Sequence, residues 1–138
     1  MPAEPVTVAR RMMRHDRASE SLGMTVVVNE PGRSVVTMTI REDMLNGFAI
    51  THGGFVFALA DTAFAIACND SDLVTVAAGA DITFLKATTV GDVLTATALE
   101  RAKSGRSGLY DVEVLDAAGN VVAEFRGRSR RTNSPAPV

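Results

Sequence analysis

The chain has 138 residues and a mass of 14.6 kDa, enough for one domain with a substantial core and short for two. Hydrophobic residues at 46% and charged residues at 22% exclude a disordered chain, and a net charge of −2 argues against a protein that coats nucleic acid. A single cysteine, Cys68, excludes a disulfide framework and a cysteine-based zinc site, and two histidines, His15 and His52, argue against a multi-histidine metal centre.

In chain order, Met1–Glu20 carries charges throughout and lacks the apolar core of a secretory signal. Val6–Arg14, after Pro5, reads as a short amphipathic helix. Met24–Glu30 and Ser34–Arg41 are β-branched runs joined by Pro31-Gly32-Arg33, a hairpin pattern. Periodicity is lost from Glu42 to Thr51, where Asn46-Gly47 marks a turn. Gly53–Cys68 is rich in alanine and free of proline, which predicts a helix. At 16 residues it is short of the roughly 20 needed to cross a bilayer. Together with the missing signal, this predicts a soluble cytoplasmic protein.

After a turn at Asn69–Asp72, a long β stretch runs from Leu73 to Ala87, bulge-prone at Ala77–Ala80. Further strands follow at Val93–Ala102, Leu109–Leu115 and Val121–Arg130. The expected ordered core spans 6–131, with a frayed tail at 132–138. One long helix among hairpin-linked strands predicts a single α+β domain over 1–138, a mostly antiparallel sheet wrapped around the helix.

That helix carries only two polar residues, Asp61 and Thr62, and a helix apolar all round is expected to be buried on every side. A carboxylate in such surroundings is costly to ionise unless it is paired, hydrogen-bonded or open to a cavity. It is a hydrogen-bonded buried acid, an exposed acid at an interface edge, or a general base or nucleophile tuned by desolvation. The helix opens on Gly53-Gly54. Glycine is a poor helix former, and here it allows close approach to N–H groups without intrahelical partners, which suit a developing oxyanion. A tight loop-to-helix corner that needs a positive φ explains the glycines equally well. His52, directly before them, caps, positions the glycine loop or acts as acid–base. Asn46 forms a turn or orients substrate or water. From His52 to Asp61 the helix rises about 13.5 Å and turns about 900°, which puts the two on opposite faces. One copy cannot bring the Gly53 amide and the Asp61 carboxylate to one carbonyl. Two antiparallel copies can, so the expected site is shared between subunits.

The run Asn46-Gly47-Phe48-Ala49-Ile50-Thr51-His52-Gly53-Gly54, continuing Phe55-Val56-Phe57-Ala58-Leu59-Ala60-Asp61-Thr62-Ala63, resembles the hotdog-fold acyl-CoA thioesterases. Within them it is most similar to the phenylacetate-degradation PaaI subfamily. The resemblance spans roughly residues 10–131 and implies a hotdog fold and hydrolysis of aryl- or acyl-CoA thioesters, (hydroxy)phenylacetyl-CoA among them, to free acid and coenzyme A in phenylacetate catabolism. It implies that Asp61 is the catalytic carboxylate, that the Gly53 amide polarises the thioester carbonyl beside His52, and that Asn46 holds substrate or water. It further implies no cofactor and a homotetramer built as a dimer of dimers, with Asp61 supplied by the partner of the chain that supplies Gly53. Some relatives place water with a serine after the central helix. Here Ala77-Ala78-Gly79-Ala80 offers no hydroxyl, which leaves Asn46 or Thr62 for that role.

Coenzyme A carries phosphates, so basic residues are expected near the site mouth, with Lys86, Lys103, Arg106 and Arg128 as candidates. Gly54 and Thr62 join the substrate-binding set, and Phe48, Phe55, Phe64 and Tyr110 are candidates for the acyl pocket. A non-catalytic acyl-CoA-binding hotdog module is the alternative, although a binder has no need of a buried acid. A hotdog dehydratase, which calls for a differently arranged Asp/His pair, is a third reading.

Overall fold

The computed structural model describes residues 8–135. α1 spans Val8–His15 and α2 Arg17–Ser21; β1 (Thr25–Glu30) and β2 (Arg33–Thr39) form the first hairpin. A 3₁₀ turn at Glu42–Met44 and a loop lead into α3, Gly53–Cys68, whose bounds are those predicted. β3 (Leu73–Phe84), β4 (Val93–Ser104), β5 (Ser107–Leu115) and β6 (Val121–Pro135) complete the chain. The first two residues of the helix expected at Val6–Arg14 lie outside the described residues.

The strands form one six-stranded sheet in the order β1-β2-β4-β5-β6-β3, antiparallel at every pairing. α3 lies across its inner face. Leu59, Ala63 and Phe64 from the helix meet Val36, Leu94 and Val112 from the strands in one core cluster. Inward and outward residues alternate along β6, with Phe125, Gly127 and Ser129 facing in and Arg126, Arg128 and Arg130 out. β3 is continuous, and the bulge expected near Ala77–Ala80 appears as a register shift between Ala77 and Gly79.

Two features depart from expectation. The five-residue α2 fills a stretch with no predicted element. It exists because Asp16 caps it, accepting from the Ser19 N–H at 2.9 Å. β6 also continues through residues 132–135, where fraying was expected. Its end pairs with the start of β3, Leu73 opposite Pro135, and the Thr132 hydroxyl donates to the Val74 carbonyl at 2.7 Å.

Candidate active site

The start of α3 is built by a folded-back loop. The Asn46 Oδ1 accepts from the N–H groups of Phe48 (2.8 Å) and Ile50 (3.4 Å), and the Asn46 N–H donates to the Ile50 carbonyl. The Nδ2 group of Asn46 has no partner among the described residues. Ala49 takes φ +60°, a left-handed conformation costing a non-glycine residue about 1–2 kcal/mol. The loop is anchored by the Thr51 N–H on the Thr88 carbonyl and by a 2.7 Å bond between their hydroxyls.

His52 is the N-cap of α3. Its Nδ1 accepts from the Gly54 N–H at 3.0 Å, so that nitrogen carries no proton and Nε2 does. The cap occupies the Gly54 donor. The Gly53 N–H makes no hydrogen bond among the described residues, and it stands at the positive end of the helix. A side chain at Gly53 would meet the Phe84 ring at 2.9 Å. Asn46, Gly53, Phe84 and Lys86 line one cavity of about 460 Å³.

Asp61 opens into a different cavity, of about 490 Å³. Val8, Met12, Phe64, Val74 and Val76 make it apolar, and Arg11, His15 and Asp16 stand at its α1 side. α1 is held over it by the N–H groups of Val8 and Ala9, which donate to the carbonyls of Ser71 and Asn69. Asn69, buried, caps the far end of α3 and bonds both the N–H and the carbonyl of Thr75, fixing β3 as the opposite wall. Burial, and secondarily the nearby Asp16 carboxylate, raise the proton affinity of Asp61 above the ordinary aspartate value. Cys68 lines the same cavity, but burial pushes its thiol up to about 12, so it is no nucleophile at neutral pH.

The helix is less enclosed than its composition suggested. Gly54, Ala58, Asp61 and Ala65, spaced four, three and four apart, lie on a stripe that the sheet leaves open or half-covered. β3, at the sheet's outer edge, is likewise bare there, with Val76 45% and Phe84 52% exposed.

A family model described as the thioesterase superfamily matches residues 48–123. The chain belongs to this superfamily. It is 44% identical over 123 residues to the acyl-coenzyme A thioesterase PaaI of Escherichia coli K12, covering 89% of this chain and 88% of that protein. The structure of the E. coli PaaI protein from the phenylacetic acid degradation operon superposes with a TM-score of 0.90 at 42% identity, over 94% of each chain. The TT0310 protein of Thermus thermophilus follows at a TM-score of 0.82 and 37% identity, over 86% of this chain and 99% of that one. The architecture is the hotdog fold of the thioesterase superfamily.

Within this thioesterase frame the predicted site residues fall into separate groups. Asn46, Gly53 and Lys86 share one cavity; Asp61 and Phe64 share the other. Thr62 is turned away from both, buried against the Ser19 hydroxyl at 2.9 Å. Phe48 is 86% exposed on the loop, and Tyr110 is fully buried in the core.

Of the basic candidates, Lys103 and Arg106 line one pocket, and Lys86 and Arg128 stand elsewhere. Lys86 pairs with Asp116, whose carboxyl it holds well below the usual range. Lys103 pairs with Asp70 and Glu100, and Arg128 with Asp81 on the outer sheet face. Arg106 sits at the β4–β5 turn beside Lys103. Sequence reasoning missed the contribution of α1 and of Asp16 to the Asp61 cavity. The one available signal was Asp16 three residues before Ser19, a capping spacing.

No described helix is long and apolar enough to cross a membrane.

Proposed function

We propose that the protein hydrolyses aryl- and acyl-CoA thioesters, phenylacetyl-CoA and its hydroxylated forms among them, to the free acid and coenzyme A, at sites shared by two antiparallel copies of α3. The observation that carries the reading is the separation of two half-sites along one helix. At one end a Gly53 N–H is left without a partner. About 12 Å further along, an Asp61 carboxylate of raised basicity faces an apolar cavity.

Pairing two chains through the open Gly54–Ala65 stripe brings each half-site to the other. The thioester carbonyl oxygen accepts from the Gly53 N–H and the Asn46 Nδ2, both aimed at the charge that develops on it. Asp61 of the other copy either attacks the carbonyl carbon itself or takes a proton from water as the water oxygen bonds to that carbon. The C–S bond then breaks, and the thiolate of coenzyme A leaves and is protonated. Where Asp61 has attacked, water then cleaves the Asp61–acyl anhydride and restores the carboxylate; where water has attacked, its oxygen is already part of the acid, which leaves. The pair assembles further into a cytoplasmic tetramer, a dimer of dimers. The relatives in phenylacetic acid degradation support an aryl acyl group, as does the aromatic and aliphatic lining beside Asp61.

Thiol release from a panel of CoA esters tests the chemistry. Saturable binding with no release identifies a binding module instead. A complementation experiment tests the sharing. Asp61→Asn and Gly53→Val chains, each inactive alone, are expected on mixed assembly to recover about a quarter of wild-type turnover, since half the pairs are mixed and each holds one intact site. No recovery in verified mixed assemblies, or a stable active monomer in sedimentation, contradicts the shared site.

A further inference from the structure

We propose that Asp16 is a positioning residue for Asp61: through Ser19 and Thr62 it locks the α1–α2 corner onto the central helix and holds a second negative charge on the wall of the Asp61 cavity. The inference rests on the hydrolytic reading above and adds a residue to it.

The geometry is a continuous chain of hydrogen bonds from Asp16 through Ser19 to Thr62. One Asp16 carboxylate oxygen accepts from the Ser19 N–H at 2.9 Å, and the other accepts from the Ser19 hydroxyl at 2.7 Å. The Ser19 Oγ lies 2.9 Å from the Thr62 Oγ1, and both side chains are buried. An ionised carboxylate only accepts, so the Ser19 proton goes to Asp16 and the Thr62 proton must go to Ser19. The direction of every bond follows from the charge on Asp16. Thr62 is thereby left as an acceptor only, its proton unavailable to substrate. The chain ends on the residue next to Asp61. α2, at five residues, is too short to hold itself, so this chain and its cap keep the corner in place.

The groups facing Asp61 are few. α1 presents Arg11, half-buried, and His15, exposed; the corner presents Asp16; α3 presents Cys68, whose thiol is protonated; the β3 wall of Val74–Ala77 presents nothing titratable. In the paired form the second copy's His52 approaches as well. Among these Asp16 is the nearby charge that, after burial, raises Asp61's proton affinity. A more basic carboxylate is the better base toward water.

The test is the pH profile of kcat and KM for phenylacetyl-CoA in the full chain, alongside carboxyl-carbon NMR of Asp61, assigned by its loss in Asp61→Asn. Asp16→Asn and Asp16→Ser keep a cap-competent side chain and remove the charge. Both are expected to move the acid limb, and the Asp61 NMR titration, to lower pH, with kcat reduced more than KM is raised. Asp16→Glu is expected to keep the limb in its wild-type place. Folded neutral variants with an unmoved titration overturn the proposal. So does loss of the fold in both neutral variants, which makes Asp16 a structural cap only. Wild-type protein that releases no thiol overturns the hydrolytic reading, and the NMR titration still judges Asp16.

Discussion

Asp61→Asn is expected to leave a folded, assembled protein whose kcat falls by about 10²–10⁴-fold, the range a positioned general base or its equivalent contributes. The amide is nearly isosteric and fits the same cavity, but it can neither take a proton nor attack a carbonyl. KM should change little, because the Gly53 amide and the cavity walls still bind the ester. The variant is also expected to be more stable than wild type at neutral pH. Burial raises the native pKa of Asp61 above its unfolded value, so the native state keeps a proton that the unfolded chain has already lost. Stability therefore falls as pH rises through that window, and above it the desolvated charge is a constant penalty. Asn carries no such penalty. Thermal unfolding of both proteins as a function of pH should show the variant's advantage vanishing as pH drops below about 3.9, the ordinary aspartate value, where both side chains are neutral. Unchanged turnover in the variant refutes the role of Asp61, and an advantage that persists in acid refutes the account of its burial.

Phe64→Ala is expected to cost about 3–5 kcal/mol, a large part of the about 5–15 kcal/mol that holds a domain together. Phe64 is 1% exposed, with ring centroids 5.5 Å from Tyr110 and 5.8 Å from Phe125. It sits over Gly127, where a β-carbon would come within 2.7 Å of the ring. Gly127→Ala is accordingly expected to cost about 1–3 kcal/mol by overpacking. The two substitutions share one volume, so the double variant should be less destabilised than the sum of the singles. Urea unfolding of the four proteins measures the cycle. A loss below about 1 kcal/mol for Phe64→Ala, or strict additivity, contradicts this packing.

Much of this architecture was legible in local chemistry. The span of α3 could be read because alanine and the absence of proline favour helix throughout, and the hairpins because turn residues separate β-branched runs. The glycines were ambiguous, and neither takes the positive φ that a tight corner would need. Gly53 avoids a collision with Phe84, which is the structural reason, and its N–H is left without a partner, which is the chemical one. What could not be read was set by distant partners. Residues 132–135 have a loop composition and become strand because residues near Leu73 pair with them. α2 has a weak pattern and depends on Thr62, more than forty positions away in the chain, where the Ser19 hydroxyl finds its partner. The partners of the basic residues are set in the same way: strand register puts Arg128 on the outer face with Asp81, and Lys86 pairs with Asp116.

The strand order has a consequence for how the molecule comes into being. β4, β5 and β6 are successive hairpins, and their contacts are close in sequence. β3 precedes all three in the chain yet must join on the far side of β6, Phe84 opposite Ala123. Such a pairing closes a large loop and lowers the folding rate. β3 is also the wall opposite α1 in the Asp61 cavity. The β3–β6 ladder, like the β2–β4 ladder that sets Thr39 opposite Val93, forms only across a long stretch of chain, so the wall that encloses the carboxylate depends on non-local pairing.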